Sequence, residues 1–133
     1  MPNYDIAVLG AGPGGYVAAL RAALRGARVC CIESAELGGS CLNRGCIPTK
    51  AMLHASDLLT HAARFAEFGL ACQKPSVNPE AFMARVAKVV VGLRQGVDFL
   101  LKKRKVDVIA GHGRLTSRDT LLVRTASGEV PVQ

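Results

Sequence analysis

Ten residues near the start set the architecture of this chain: Ile6-Ala7-Val8-Leu9-Gly10-Ala11-Gly12-Pro13-Gly14-Gly15. A short apolar run that ends in glycine is typical of a buried strand. The alanine-rich residues 14–25 predict a helix, and Gly26 is a suitable C-terminal stop. A second apolar run over residues 28–33 then predicts another buried strand. We therefore expect two parallel strands joined by a right-handed crossover helix.

The glycine pattern in the first turn is typical of a dinucleotide-binding loop. Gly10, Gly12 and Gly15 fit G-x-G-x-x-G, in which the glycines allow a tight turn, close approach of a pyrophosphate and close helix–strand packing. The start of the following helix offers free N–H groups to phosphates. Glu33 ends the second strand, where a carboxylate accepts hydrogen bonds from an unphosphorylated ribose. The competing interpretation is a glycine-rich turn with a solvated glutamate.

Two cysteines follow in the segment Gly38-Gly39-Ser40-Cys41-Leu42-Asn43-Arg44-Gly45-Cys46-Ile47-Pro48-Thr49-Lys50. Cysteines at i and i+5 lie too far apart on a regular helix to bond, so a disulfide here requires an irregular helical turn. Gly45 and Pro48 permit that turn. The residues leave three interpretations open: a redox-active disulfide, a metal site that lacks a second close Cys/His pair, and two inert thiols.

The remaining residues predict more helices and two kinds of strand. We expect a helix over 48–65, and a long helix over 79–103 with Asn78 as N-cap. Residues 106–110 predict a third parallel strand, and residues 121–123 and 130–132, on either side of Ser127-Gly128, predict the start of an antiparallel meander. In the long helix the apolar positions at helical spacing are Phe82, Val86, Val89, Val90, Leu93, Val97, Leu100 and Leu101.

Composition and charge narrow the possible functions. The 133 residues suffice for one domain, and half of them are apolar. The net charge of +7 owes much to Lys102-Lys103-Arg104-Lys105. That run is better explained as a solvated helix end than as a nucleic-acid surface, because no aromatic residues interleave with it. We expect no membrane span, and no secretion signal is recognised, which favours the cytoplasm.

Three cysteines and three histidines remain outside the motifs. The count of five cysteines is odd, which argues against a structural disulfide framework. Cys30 and Cys31 lie in an apolar strand and are expected to be small core residues, whereas Cys72 has no identifiable role. His54, His61 and His112 are interpreted as surface or packing residues, since none has an evident orienting partner.

Together these motifs resemble the pyridine nucleotide-disulfide oxidoreductases. The resemblance covers the whole chain, and it is greatest to the members that oxidise dihydrolipoamide. It is carried by Gly10-Ala11-Gly12-Pro13-Gly14-Gly15-Tyr16, Glu33, Gly38-Gly39-Ser40-Cys41-Leu42-Asn43, Gly45-Cys46-Ile47-Pro48, Lys50, the run from Gly96-Val97 to Lys103, and Gly111-His112-Gly113. Ser40 and Arg44 depart from it, at positions where threonine and valine are frequent.

The resemblance implies a role for each matching residue. Cys41 would be the interchange thiol, Cys46 the thiol beside the flavin, and Lys50 a neighbour of the flavin. FAD, not NAD, would occupy the first glycine loop, with Gly113 near the adenine. The residues implied in FAD binding are Gly10, Gly12, Pro13, Gly14, Gly15, Glu33, Ser34, Gly39, Ser40, Lys50 and Gly113. Electrons would pass from dihydrolipoamide through the disulfide and FAD to NAD.

The resemblance also implies that much of the enzyme lies outside these residues. Residues 1–133 would be the N-terminal portion of a Rossmann-like, incomplete FAD-binding domain, without the NAD-binding and dimer-interface domains. Full-length members would be homodimers that serve lipoyl domains of 2-oxoacid dehydrogenase or glycine cleavage complexes, whereas this chain alone is expected to be inactive. Alternatives are a mercuric, glutathione or trypanothione type of reductase, a non-catalytic FAD-binding or redox-sensing module, and a docking domain.

Overall fold

A parallel sheet forms the centre of the structure, a computed structural model that describes residues 2–71 and 75–133. Its strands are β1 (Ile6–Leu9), β2 (Val29–Glu33) and β3 (Asp107–Ala110), in the order β1-β2-β3. Helix α1 (Pro13–Leu24) connects β1 to β2. The predicted strand–helix–strand unit and the third parallel strand are thus confirmed.

Three helices lie between β2 and β3. These are α2 (Gly39–Asn43), α3 (Cys46–Ala63) and α4 (Pro79–Lys103), and a 3₁₀ turn (Phe65–Phe68) follows α3. The short helix α2, which contains Cys41, was not predicted, and α3 begins at Cys46, two residues before the predicted start. Pro48 fits within the first turn of α3 because the N–H groups there have no helical acceptor in any case.

The long helix α4 has the predicted bounds. Asn78 caps it, since its Oδ1 accepts a hydrogen bond from the Ala81 N–H at 3.1 Å. Of the predicted apolar face, Val86, Val97 and Leu101 are buried, and Phe82, Val89 and Val90 are partly buried. Leu93 and Leu100 lie at the same helical spacing but are exposed, because the neighbouring elements do not cover the whole apolar face of α4.

A second sheet, which is antiparallel, begins two residues after the end of β3 in the sequence. Its strands are β4 (His112–Leu115), β5 (Leu121–Thr125) and β6 (Gly128–Val132), in the order β4-β5-β6. The predicted meander is confirmed, and it begins one strand earlier than predicted. The sequence of β4 contains no apolar alternation, so the strand depends on its pairing with β5.

The strand β2 separates two hydrophobic clusters. Successive side chains on a strand point to opposite faces. Cys31 accordingly packs in a sheet–helix cluster with buried residues that include Ala19, Val97 and Leu101. Cys30 packs in a sheet–sheet cluster with buried residues that include Leu121, Val123 and Val132. Both thiols are free and buried, as expected of core residues. Cys72 lies outside the described residues.

Within the described part of the chain, none of the helices combines the length and apolar character needed to cross a membrane.

Candidate cofactor and disulfide site

The glycine loop lies between the end of β1 and the start of α1, and each of its three motif glycines has a distinct environment. Gly10 has a φ of +91°, which favours glycine. A Cβ on Gly15 would overlap the carbonyl oxygen of Gly10, so the loop closes directly on the helix. A Cβ on Gly12 would meet nothing within 4 Å. The side of Gly12 on which a Cβ would stand is therefore open. It lies beside the first turn of α1, whose N–H groups have no helical acceptor, as phosphate binding requires.

Glu33 is oriented by two backbone amides. Its Oε2 accepts a hydrogen bond from the Ala11 N–H at 2.7 Å, and its Oε1 accepts one from the Ala35 N–H at 2.9 Å. The carboxylate is thus fixed against the glycine loop and is not freely solvated. Each oxygen retains a further lone pair, so the group can still accept hydrogen bonds from ribose hydroxyls.

Cys41 and Cys46 form a disulfide across the break between α2 and α3. Their Cα atoms are 4.7 Å apart, which is possible because Arg44 and Gly45 leave the helical conformation. Cys46 is the first residue of α3 and is exposed, and Cys41 is partly buried in α2. The interpretation as two separate thiols is therefore not supported. Within residues 2–71 and 75–133, no group of three or more His, Cys, Asp or Glu residues could hold a metal ion.

Helix α2, which carries Cys41 and is called the disulfide helix below, lies directly against the glycine loop. The Gly38 N–H donates a hydrogen bond to the Ala11 carbonyl at 2.8 Å. A Cβ on Gly39 would come within 2.8 Å of the Gly12 Cα, so the two backbones touch. Gly38 and Gly39 both have positive φ angles, of 94° and 61°. The cysteine pair and the glycine loop therefore lie together, beside the carboxyl ends of β1 and β2.

The other residues predicted to bind the cofactor lie in several different elements. Ser34 directly follows Glu33 at the end of β2, and Ser40 lies in the first turn of α2. Gly113, in β4, packs its α-carbon on the side chains of Leu9 and Ile32, which leaves no room for a Cβ. Lys50 lies one turn after Cys46 in α3, and with His54 and Arg85 it lines a groove between α3 and α4.

Two polar contacts beside the disulfide were not anticipated. The Asn43 Nδ2 donates hydrogen bonds to the Leu37 and Gly39 carbonyls, each at 2.9 Å. The exposed Arg44 forms an ion pair with Glu36 at 2.7 Å. The sequence could have indicated the hydrogen bond from Asn43 to Gly39, because the side chain of an asparagine in a helix can reach the carbonyl four residues earlier. Nothing comparable predicts the pairing of Arg44 with Glu36.

The two buried thiols differ chemically from the disulfide pair. Burial raises the pKa of Cys30 to about 11, and burial likewise raises the pKa of Cys31 to about 11. A thiol needs its thiolate form to act as a nucleophile. Their raised pKa values therefore disfavour the thiolate forms of Cys30 and Cys31 at neutral pH. Cys31 nevertheless lies close to the site, since its Sγ is 3.9 Å from the Gly10 carbonyl oxygen.

The comparison with family profiles identifies the chain over nearly its whole length. The profile of the pyridine nucleotide-disulphide oxidoreductases matches residues 4–129. The chain belongs to this family. The predicted resemblance is thus confirmed, and the glycine loop, Glu33 and the disulfide all lie within the matched region.

Curated relatives are similar across this chain but are much longer. A dihydrolipoyl dehydrogenase from Zymomonas mobilis is 44% identical over 127 residues, which cover 96% of this chain and 27% of the relative. A leghemoglobin reductase from Glycine max is 45% identical over 127 residues, which cover 94% of this chain and 24% of the relative. The chain thus spans about a quarter of the length of the curated oxidoreductases it matches.

Two solved structures share the fold of this chain. The structure of LpdA from Mycobacterium tuberculosis matches with a TM-score of 0.86 and 26% identity, covering 99% of this chain and 30% of that one. The flavoprotein disulfide reductase RclA from Escherichia coli, solved as a Cu(II) complex, matches with a TM-score of 0.81 and 26% identity, covering 100% of this chain and 27% of that one. The mixed α/β architecture of this chain is therefore shared with LpdA and with the flavoprotein disulfide reductase RclA.

Proposed function

We propose that this chain is the N-terminal portion of the FAD-binding domain of a dihydrolipoyl dehydrogenase. The observation that carries the proposal is the placement of the Cys41–Cys46 disulfide against the glycine loop, through the hydrogen bond from Gly38 to Ala11. The similarity to dihydrolipoyl dehydrogenases over nearly the whole chain supports this member of the family. The full-length protein would oxidise dihydrolipoamide to lipoamide, with NAD as the electron acceptor.

The residues around the carboxyl ends of β1 and β2 suit the binding of FAD. Gly12, Pro13, Gly14 and the first turn of α1 would hold the pyrophosphate. A Cβ at Gly12 or Gly14 meets nothing within 4 Å, and N–H groups at the start of a helix have no helical acceptor. Glu33 would bind the ribose. The remaining contacts expected of FAD are those of Gly10, Gly15, Ser34, Gly39, Ser40, Lys50 and Gly113. Bound FAD would supply a two-electron carrier between the cysteine pair and NAD.

The cysteines would take the electrons from the substrate by thiol–disulfide exchange. One substrate thiolate attacks the Cys41 Sγ, forms a mixed disulfide and releases Cys46 as a thiolate. The second substrate thiol then attacks the substrate sulfur of that mixed disulfide, which releases lipoamide and leaves Cys41 reduced. Two electrons have then moved from the substrate to the cysteine pair. The base that accepts the substrate protons would come from the dimer-interface domain.

The wider biological setting follows from the same proposal. Full-length subunits would form homodimers and would act on lipoyl domains of 2-oxoacid dehydrogenase or glycine cleavage complexes. The expected location is the cytoplasm. Because the chain spans about a quarter of its relatives, we expect it to bind FAD or to exchange thiols without completing NAD reduction.

The test is a visible absorption spectrum of the purified chain, which is mixed with FAD, separated from unbound FAD by gel filtration and then treated with dithionite or a mild dithiol. We expect a bound flavin band, and a long-wavelength shoulder after two-electron reduction that is lost in Cys46→Ser and retained in Cys30→Ser. A chain that stays colourless with added FAD would contradict cofactor binding by these residues alone. Steady lipoamide-dependent NAD reduction by the chain would contradict its assignment as an incomplete domain.

A further inference from the structure

We propose that Asn43 is a positioning residue that holds the disulfide helix α2 against the glycine loop in both redox states of the cysteine pair. The inference concerns the site of the proposed function and rests on it. Asn43 lies between Cys41 and Cys46 in sequence, at the last residue of α2. Its side chain contacts neither the sulfur atoms nor the glycine loop through any described hydrogen bond, so it acts through the backbone that it binds.

The side-chain amide of Asn43 holds the turn that approaches the glycine loop. Its Nδ2 donates to the Leu37 carbonyl and to the Gly39 carbonyl, each at 2.9 Å. Because both partners are acceptors, the nitrogen must face them, which fixes the orientation of the amide. Its Oδ1 is buried and has no hydrogen-bond partner among the described residues. The two N–H bonds therefore orient the side chain.

The two carbonyls lie on either side of the residue that contacts the glycine loop. Gly38, between Leu37 and Gly39, has a φ of +94° and donates its N–H to the Ala11 carbonyl at 2.8 Å. Asn43 thus fixes the backbone before and after Gly38. The Gly39 N–H also donates to the Glu36 carbonyl at 3.1 Å, but the bonds of Asn43 are the side-chain contacts that hold the conformation in which the Gly38 N–H points at Ala11.

The same bonds are independent of the disulfide. Reduction breaks the covalent link between Cys41 in α2 and Cys46 in α3. The hydrogen bonds of Asn43 involve no sulfur atom, so reduction leaves them in place. The distance between Cys41 and the glycine loop is therefore maintained when the pair carries electrons, as repeated transfer to a cofactor in that loop requires.

An isosteric variant separates this role from simple packing. Asn43→Asp keeps the size of the side chain but removes both donors and places a carboxylate oxygen against two carbonyls. Asn78→Ala is a matched control, because it removes an asparagine side-chain hydrogen bond at the start of α4. We expect the hydrogen-exchange protection of the Gly38 amide to fall by about tenfold or more in Asn43→Asp.

The protection of amides within β2 should change no more in Asn43→Asp than in Asn78→Ala. The measurement is repeated on the reduced chain, where the same loss is expected. Unchanged protection of Gly38 in Asn43→Asp, or an equal loss in Asn78→Ala, would overturn the proposal, and so would a loss that occurs only in the oxidised chain.

An FAD titration of the same variants separates this inference from the proposed function. If the wild-type chain binds FAD, Asn43→Asp should weaken binding more than Asn78→Ala does, and equal weakening would count against Asn43. If the wild-type chain binds no FAD, cofactor binding by this chain fails as a proposal. The exchange of the Gly38 amide then still decides whether Asn43 positions the loop.

Discussion

Gly15 determines how closely α1 approaches the first strand. The atom that a Cβ at this position would overlap is the Gly10 carbonyl oxygen, which belongs to the backbone and cannot rotate away as a side chain could. The close approach of strand and helix therefore depends on this single missing side chain.

We expect Gly15→Ala to lower the free energy of unfolding by about 3 kcal/mol or more, because the loop must move to accommodate the methyl group. Urea denaturation measures the change. Gly14→Ala is the control, since a Cβ there meets nothing within 4 Å. Equal losses in the two variants would show that the Gly10 contact does not limit the loop.

The buried thiols predict a loss of stability at alkaline pH. Burial raises the pKa of Cys30 and of Cys31 from 9.0 to about 11, so their contribution is fully present below pH 9 and is lost as the pH rises through 11. Burial also raises the pKa of Tyr4, from 10.0 to about 12, with the same sign. Urea unfolding across this range should show the decline, and Cys31→Ala should reduce it. A stability that stays constant between pH 9 and 11 would contradict the prediction.

At the scale of single residues, the sequence predicts a functional group where its chemistry depends on spacing along the chain. Gly15 and Glu33 were identified in this way. The hydrogen bond from the Ala11 N–H to Glu33 was not predicted. Ala11 lies 22 positions away in sequence and is brought close only by the parallel pairing of β1 and β2. Cys30 and Cys31 were expected in the core, but their assignment to opposite clusters required knowledge of what covers each face of the sheet.

Among the helices, α4 has the most clearly defined start. We expect Asn78→Ala to lower the free energy of unfolding by about 1 kcal/mol, because it leaves the Ala81 N–H without its acceptor. Thermal or urea unfolding measures the effect, with Ser76→Ala as the control two residues earlier. If both variants have the same stability as the wild type, the cap does not contribute.

The elements that the sequence did not predict are short and depend on their surroundings. Helix α2 has five residues, of which Gly39 lies at its first position, so its local preference for helix is weak. Strand β4 contains Gly113 and no apolar alternation, and it forms through its pairing with β5. In contrast, α1 and α4 are long, have clear ends and follow a helical period, which is why their predicted bounds hold within two residues.

For the whole molecule, the exposed apolar surface predicts self-association. In β1, which pairs with β2 along one side, Ile6 is 43% exposed and Leu9 is 48% exposed. The described residues place no strand on the other side of β1. We expect oligomers at high concentration, measured by light scattering, and fewer of them in Ile6→Lys.

Phe68→Lys tests whether the unpaired side of β1 is responsible for the association. Phe68 is 72% exposed on the 3₁₀ turn, far from β1 in the sequence. If Phe68→Lys lowers association as much as Ile6→Lys does, general hydrophobicity is the cause. A clean monomer of the wild-type chain at high concentration would contradict the prediction altogether.

The length of α4 has a practical consequence. With 25 residues, α4 is about 37 Å long, whereas the four residues of β3 span about 13 Å. The residues of α4 that are buried in the sheet–helix cluster, Val97 and Leu101, both belong to its C-terminal half. Its first turn, near the exposed Glu80, is therefore a suitable attachment point for a fluorescent dye or a surface tether. A probe at that position would report on the α3–α4 pair while leaving the glycine loop and the disulfide unlabelled.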